Sequence, residues 1–166
     1  MNPSEQPREH SGTKLRMSQV AEIQAILDAS RFAVLATQRE GQPHTSLVAT
    51  TPVDGIQTLL FATYRSTRKY RNLLLNGRVA LFFGDRAAEP LGAQCHSVLT
   101  AHGLASIAPD DERGELASVH LKRHPSLHKL LASTDSVLLR VRVAAYQLAH
   151  SIDDVRWFDL SDCTPL

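Results

Sequence analysis

Cysteine is scarce in this chain: Cys95 and Cys163 are the two among 166 residues. They stand far apart and lack any metal-type pairing, which excludes a disulfide scaffold and a zinc ribbon and suits a reducing cytoplasm. An excess of charge of one sign is also missing, since 18 Lys plus Arg nearly balance 17 Asp plus Glu, for a formal net charge of +1. A polyelectrolyte such as nucleic acid usually meets a strongly basic surface, so no nucleic-acid partner is expected. No apolar run approaches the ~20 residues of a membrane-spanning helix, and the polar opening MNPSEQPREHSGTK has no apolar core that would make it a signal peptide. The G-x-G-x-x-G, Walker and G-x-S-x-G motifs do not occur either.

What is present suits a globular core, with 43% hydrophobic residues. Residues 1–15 read as a disordered lead-in and 16–166 as a single domain. Ser18 can cap a helix over 19–29, with Val20, Ile23, Ile26 and Leu27 as its apolar stripe. FAVLATQ reads as a buried strand, EGQP as a turn and HTSLVATTP as the returning strand, a β-hairpin. A second turn at Pro52 to Gly55 leads into TLLFAT. RVALFF, HSVLTAHGLASI, 137–149 and DVRWFDL supply further strands, with Arg140 and Arg142 alternating against Leu139, Val141 and Val143. Pro109-Asp110-Asp111-Glu112 starts a helix that runs to about Arg123, and Pro125 opens another. Six to seven strands with a few short flanking helices predict a mainly β (α+β) protein, an antiparallel barrel that is closed or nearly so.

The most informative stretch is FATYRSTRKYRNLLLNGRVAL, 61–81. Ser66 and Thr67 are good N-caps, Tyr70, Leu73 and Leu74 recur at helical spacing, and Asn76-Gly77 predicts a left-handed stop. Arg65, Arg68, Lys69 and Arg71 therefore gather around a helix N-terminus, whose unpaired amides and partial positive charge disfavour cations unless an anion lies among them. A phosphate satisfies both the amides and the side chains. The same cations could instead coat a solvated helix face, or form a nucleic-acid patch with Tyr64 and Tyr70. Their position at the helix start, between two strands, favours phosphate.

These residues resemble the FMN-binding split barrels of the pyridoxamine-phosphate-oxidase superfamily. EGQP is similar to the family's opening hairpin turn, and F-A-T-Y-R-S-T-R-K followed by N-G-R-V-A-L-F-F is similar to its phosphate motif. The resemblance implies that Arg68 and Lys69 hold the FMN phosphate, that Thr67 caps the helix beside it, and that Ala62 and Thr63 lie along the ribityl chain. It implies further that the backbone of Ser46, Val48, Thr50 and Thr51 follows the edge of the flavin ring, with amides near Thr50-Thr51 offsetting charge there. A cytoplasmic homodimer with FMN at the subunit interface and a small organic substrate follows, and so does an FMN-dependent oxidoreductase activity. Ser46, Thr51 and Val98 stand where the true oxidases carry Arg, Lys and Gln, and the acidic WFDLSDCTPL replaces a basic tail, which argues against vitamin B6 oxidation. HPSLHKLL and DSVLLRVRVAAYQL resemble the haem-utilisation branch, so a haem- or flavin-binding carrier or sensor without turnover is the alternative.

Catalytic residues are not identifiable from the sequence. His120, His124 and His128 have i, i+4, i+8 spacing, but Pro125 interrupts any common helix, and no metal site is expected. His44, His96 and His102 on strands are read as ordinary hydrogen-bonded or surface residues, and Trp157 and Phe158 as packing.

Overall fold

The computed structural model describes residues 15–84 and 97–160. The chain opens with α1, Met17–Ala29, then the hairpin of β1, Phe32–Arg39, and β2, Gln42–Ala49. Next come β3, Thr51–Val53, β4, Thr58–Tyr64, α2, Arg68–Leu75, and β5, Arg78–Phe83. The rest comprises β6, Val98–Ile107, α3, Arg113–Arg123, a 3-10 turn at Pro125–Leu127, α4, His128–Ala132, β7, Ser136–Ala149, and β8, Val155–Asp159. Of the predicted lead-in only Leu15 falls among the described residues, where it packs on the core. Cys95, His96 and Cys163 lie outside them.

All strand pairings are antiparallel, in one curled sheet ordered β2-β1-β5-β6-β7-β4-β3, with β8 added to β7. A single residue, Thr50, separates β2 from β3, so counting those two as one bent strand gives seven, the upper end of the predicted six to seven. The split barrel is thus formed as the strand pattern indicated. Its inner face carries rows of side chains set by register: Leu35 faces Leu81, Leu81 faces Ala101, and Ala101 faces Tyr146. All four are buried, along with Ile23, Leu27, Phe61, Phe83 and Phe158. Each fully buried Leu, Ile or Phe contributes ~1.5–3 kcal/mol, which makes this contiguous core the main source of stability.

Local chemistry explains where the elements begin and end. The first hairpin turns on Glu40 and Gly41, both at positive φ, so Gln42 and Pro43 already belong to β2. Such a two-residue turn matches the strand twist. Pro52 is likewise inside β3, which moves the second turn to 54–57. Helix α1 starts before Ser18, because Gln19 Oε1 accepts the Arg16 amide at 2.8 Å and completes the N-terminus from inside. The Asp110-Asp111 pair precedes α3, leaving Glu115 as the acid of its first turn. Between His102 and Gly103 of β6 the register slips by one residue, with Ala144 of β7 left over as the bulge, and there a Cβ on Gly103 would approach the Arg142 carbonyl oxygen to 2.3 Å. Only glycine permits that close approach of β6 and β7.

Candidate functional site: the seam of the split barrel

The barrel has one open seam, and its borders follow from the pairing. Among the described residues β2 pairs only with β1, which leaves its far edge without a strand partner there. β4 pairs with β7 along its whole length, but on the opposite side β3 covers Thr58–Leu60, and Phe61–Tyr64 have no strand partner there among the described residues. The free edge of β2 and this uncovered stretch of β4 face each other as the two banks of the seam, joined by Thr50 and β3. The end of β4 leads straight into α2.

Every residue in the predicted set lies on this frame. Ser46 and Val48 are on the β2 bank, Thr50 and Thr51 at the bend, Ala62 and Thr63 on the β4 bank, and Thr67, Arg68 and Lys69 at the start of α2. Thr67 is the N-cap: its hydroxyl accepts the Tyr70 amide at 3.4 Å and donates to the Tyr64 carbonyl at 2.8 Å. That hydroxyl has one proton, already committed, so in the 3.1 Å contact between Thr63 and Thr67 the Thr63 hydroxyl donates. Asp135, just before β7, anchors the turn by accepting the Arg65 amide on its carbonyl and the Ser66 hydroxyl on its carboxylate.

The cations divide into two groups. Arg65 lies over the Tyr70 ring at 5.6 Å and donates to its hydroxyl at 2.8 Å, so it braces the helix. The side chains of Arg68, Lys69 and Arg71 have no hydrogen-bond or ion-pair partner among the described residues. The first turn of α2 contains no acid. Lys69 is half-buried, and burial lowers its ammonium below the ordinary lysine range. Partial burial of an unpaired cation is costly, and an anion beside it removes the cost. Two more groups want partners: the Ser46 and Thr50 hydroxyl oxygens are buried without a hydrogen bond among the described residues.

Other expectations need correction. Asn76 ends α2 in extended conformation and Gly77 is not left-handed; instead, the missing Cβ of Gly77 lets the Ala105 carbonyl approach, while the Ala105 amide donates to the Gly77 carbonyl at 2.8 Å. Leu74 is 62% exposed, and the buried face of α2 is Tyr70, Asn72 and Leu73. Asn72 passed unnoticed because one Asn carries no periodic signal; it donates to the Thr37 hydroxyl at 3.0 Å and ties α2 to β1. The Thr50 amide is not free for a ligand, because it donates to the Arg31 carbonyl at 3.0 Å.

The histidines separate as the proline implied. α3 stops at Arg123, and His128 has only the Pro125 carbonyl within hydrogen-bond reach of its Nδ1. Among the described residues no three His, Cys, Asp or Glu side chains group to hold a metal. His120 and His124 do meet, with ring centroids 5.0 Å apart, in a role the spacing did not suggest. His120 Nδ1 bonds the Thr51 hydroxyl at 2.8 Å, and His124 Nε2 donates to the Thr50 carbonyl at 2.9 Å. Burial lowers both, His120 to about 4, with the neighbouring Arg123 adding to the effect. His102 stacks on Trp157 at 4.8 Å, and Phe158 is in the core.

A groove of about 950 Å³ lies between α1 and the outer sheet face, lined by Ile26, Phe32, Val34, Leu47 and Phe82 among others. It contains none of the predicted phosphate contacts, and its apolar walls suit a protein surface better than a dianion. Val34 pairs with both Leu47 and Phe82, making an exposed apolar strip across three strands.

An antiparallel split barrel with an anion-ready helix at its seam is the class of protein that the fold and site define. The chain belongs to the pyridoxamine 5'-phosphate oxidase family, whose sequence profile matches residues 20–149. Among solved structures it is similar to a heme binding protein from Mycobacterium smegmatis, with TM-score 0.77 and 20% identity over 87% of this chain and 59% of that one. It is also similar to General Stress Protein 26 from Bacillus anthracis, with TM-score 0.66 and 22% identity over 87% of this chain and 100% of that one. A third likeness is to Campylobacter jejuni ChuZ, with TM-score 0.73 and 10% identity over 88% of this chain and 61% of that one. At these identities the likeness is one of fold, and the chain spans about three fifths of the mycobacterial and Campylobacter proteins. No curated protein matches the sequence. No helix among the described residues is long and apolar enough to cross a membrane.

Proposed function

We propose that this protein binds FMN in the seam and acts as an FMN-dependent oxidoreductase on a small organic substrate. The carrying observation is the start of α2: a Thr67-capped N-terminus with no acid in its first turn, carrying Arg68 and a half-buried Lys69, neither of which has a partner among the described residues. A phosphate dianion fits this donor set, since it accepts from amides, guanidinium and ammonium together. The Ser46 and Thr50 hydroxyls add two buried groups in need of partners on the other bank. The flavin, when bound, supplies hydride and electron transfer. The chain's own residues hold it: Arg68 and Lys69 neutralise the phosphate, Thr67 orders the amides around it, and the Ala62-Thr63 and Ser46–Val48 backbones border the length of the seam.

The protein works as a cytoplasmic homodimer in this reading, one domain from residue 16 onward. The apolar strip of Val34, Leu47 and Phe82 is the surface that a second copy would cover, which also protects the free β2 edge. Replacing Arg68 and Lys69 together by Ala tests the anchor. At ~1.5–3 kcal/mol per charge-assisted bond, the double variant should lose at least a hundredfold in FMN affinity by fluorescence titration. Wild-type affinity in the folded variant would refute the assignment.

Haem binding without turnover is the second reading, favoured by the fold likeness to the mycobacterial heme binding protein and by a half-buried His44 on the edge strand β2. The absorbance of the purified protein decides between them. A two-band flavin spectrum supports the first reading, and a Soret band the second.

A further inference from the structure

The two banks of the seam are connected through the chain by Thr50, the one residue between β2 and β3. That connection is nearly solvent-free, with Thr50 1% and Thr51 3% exposed. From α3, His120 bonds the Thr51 side chain and His124 the Thr50 carbonyl, while the Thr50 amide is held by the Arg31 carbonyl. The helix carrying these imidazoles is itself fastened: Arg123 donates through Nη2 to the Leu27, Asp28 and Ser30 carbonyls at the end of α1, and Arg31 donates to the Arg123 carbonyl. Helix end, strand bend and the start of β1 thus form one polar knot inside the molecule.

We propose that His120 and His124 are positioning residues, a latch that sets the distance between the banks by fixing the bend at Thr50-Thr51. This rests on the reading of the seam as the flavin site. A backbone bend can rotate about φ and ψ of very few residues; β2 leaves the bend on one side and β3, which pairs with β4, leaves it on the other, so a small change at Thr50 is passed to both banks. His124 must keep its Nε2 proton to donate to a carbonyl, and so its Nδ1 is the unprotonated atom in the neutral ring. His120 Nε2 has no hydrogen bond among the described residues, and it is cheapest there as a bare acceptor, with Nδ1–H donating to Thr51. Neutral rings at van der Waals separation are compatible with this arrangement; two imidazolium ions would repel one another, Arg123 would oppose both and Arg31 would oppose His124.

The test compares two double variants of the full chain. H120N/H124Q places an amide where each bonding ring nitrogen lies, and H120L/H124L removes both bonds. Amide hydrogen exchange without ligand should show Thr50 exchanging about tenfold or more faster in the leucine variant, while Leu35 and Leu81 keep wild-type rates. FMN affinity in the folded leucine variant should fall about tenfold or more, and the amide variant should recover both properties. If the leucine double variant does not fold, H120L and H124L singly serve the same comparison. Wild-type Thr50 exchange, equal acceleration of all amides, or undiminished FMN affinity in a leucine variant overturns the latch. Failure of the wild-type protein to bind FMN sinks the flavin reading alone, and the exchange rates then judge the latch by themselves.

Discussion

Acid should weaken this fold through His120 in a way that one substitution can isolate. An ordinary histidine titrates near 6.5, and burial, with the added repulsion of His124 and Arg123, pushes His120 down to about 4. The unfolded chain therefore binds a proton at this residue in a range where the folded chain does not. Unfolding takes up that proton, so stability rises with pH between about 4 and 6.5 and is lost as pH falls through the same window. At ~1.4 kcal/mol per pH unit the gap amounts to roughly 3 kcal/mol, a large part of the ~5–15 kcal/mol that holds a typical domain together. Urea unfolding at pH 7, 5.5 and 4 measures it. The H120N variant shares every other titrating group, and its curve should lose roughly 3 kcal/mol less than wild type over that span. Parallel pH profiles for the two proteins would show that His120 is not buried as described.

Two further substitutions probe the scaffold. Gly103→Ala forces a methyl group against the Arg142 carbonyl opposite the β7 bulge and should cost about 1–3 kcal/mol or more in urea unfolding; a neutral result would mean that β6 and β7 do not approach as closely as 2.3 Å implies. Tyr146→Phe removes the 2.7 Å bond to the Ile56 carbonyl and leaves that buried acceptor empty, for a loss of ~1–3 kcal/mol. A thermal midpoint unchanged in Tyr146→Phe would indicate that water reaches Ile56.

The strands were legible because their signals are local. Alternation in 137–149 and the apolar runs TLLFAT and RVALFF identify themselves, and Gly41 marks the first turn with a residue free to take positive φ. The start of α2 was legible for the same reason, since Thr67 and the cations beside it are consecutive. What the sequence hid is what depends on distant partners. His120 and His124 showed their helical spacing, but nothing in that spacing says the partners are Thr50 and Thr51, about 70 residues away. Asn76-Gly77 misled in the opposite sense: a good left-handed pair was used for close strand approach, because packing against Ala105 outweighed local preference.

The longest strand imposes an order of events on the nascent chain. β7 bonds β6 on one side and is shared on the other between β4, at Ser136–Arg142, and β8, at Ala145–Ala149. During synthesis, β4 leaves the ribosome more than 70 residues before the strand that will cover it, and until then its apolar Leu59, Leu60 and Phe61 have no lasting shelter. α1, the first hairpin, the short β3–β4 pair and α2 can form early, and β5 and then β6 can add to β1, but the free side of β4 waits for β7. A pause in translation before residue 136 should therefore leave a half-made barrel dependent on chaperones.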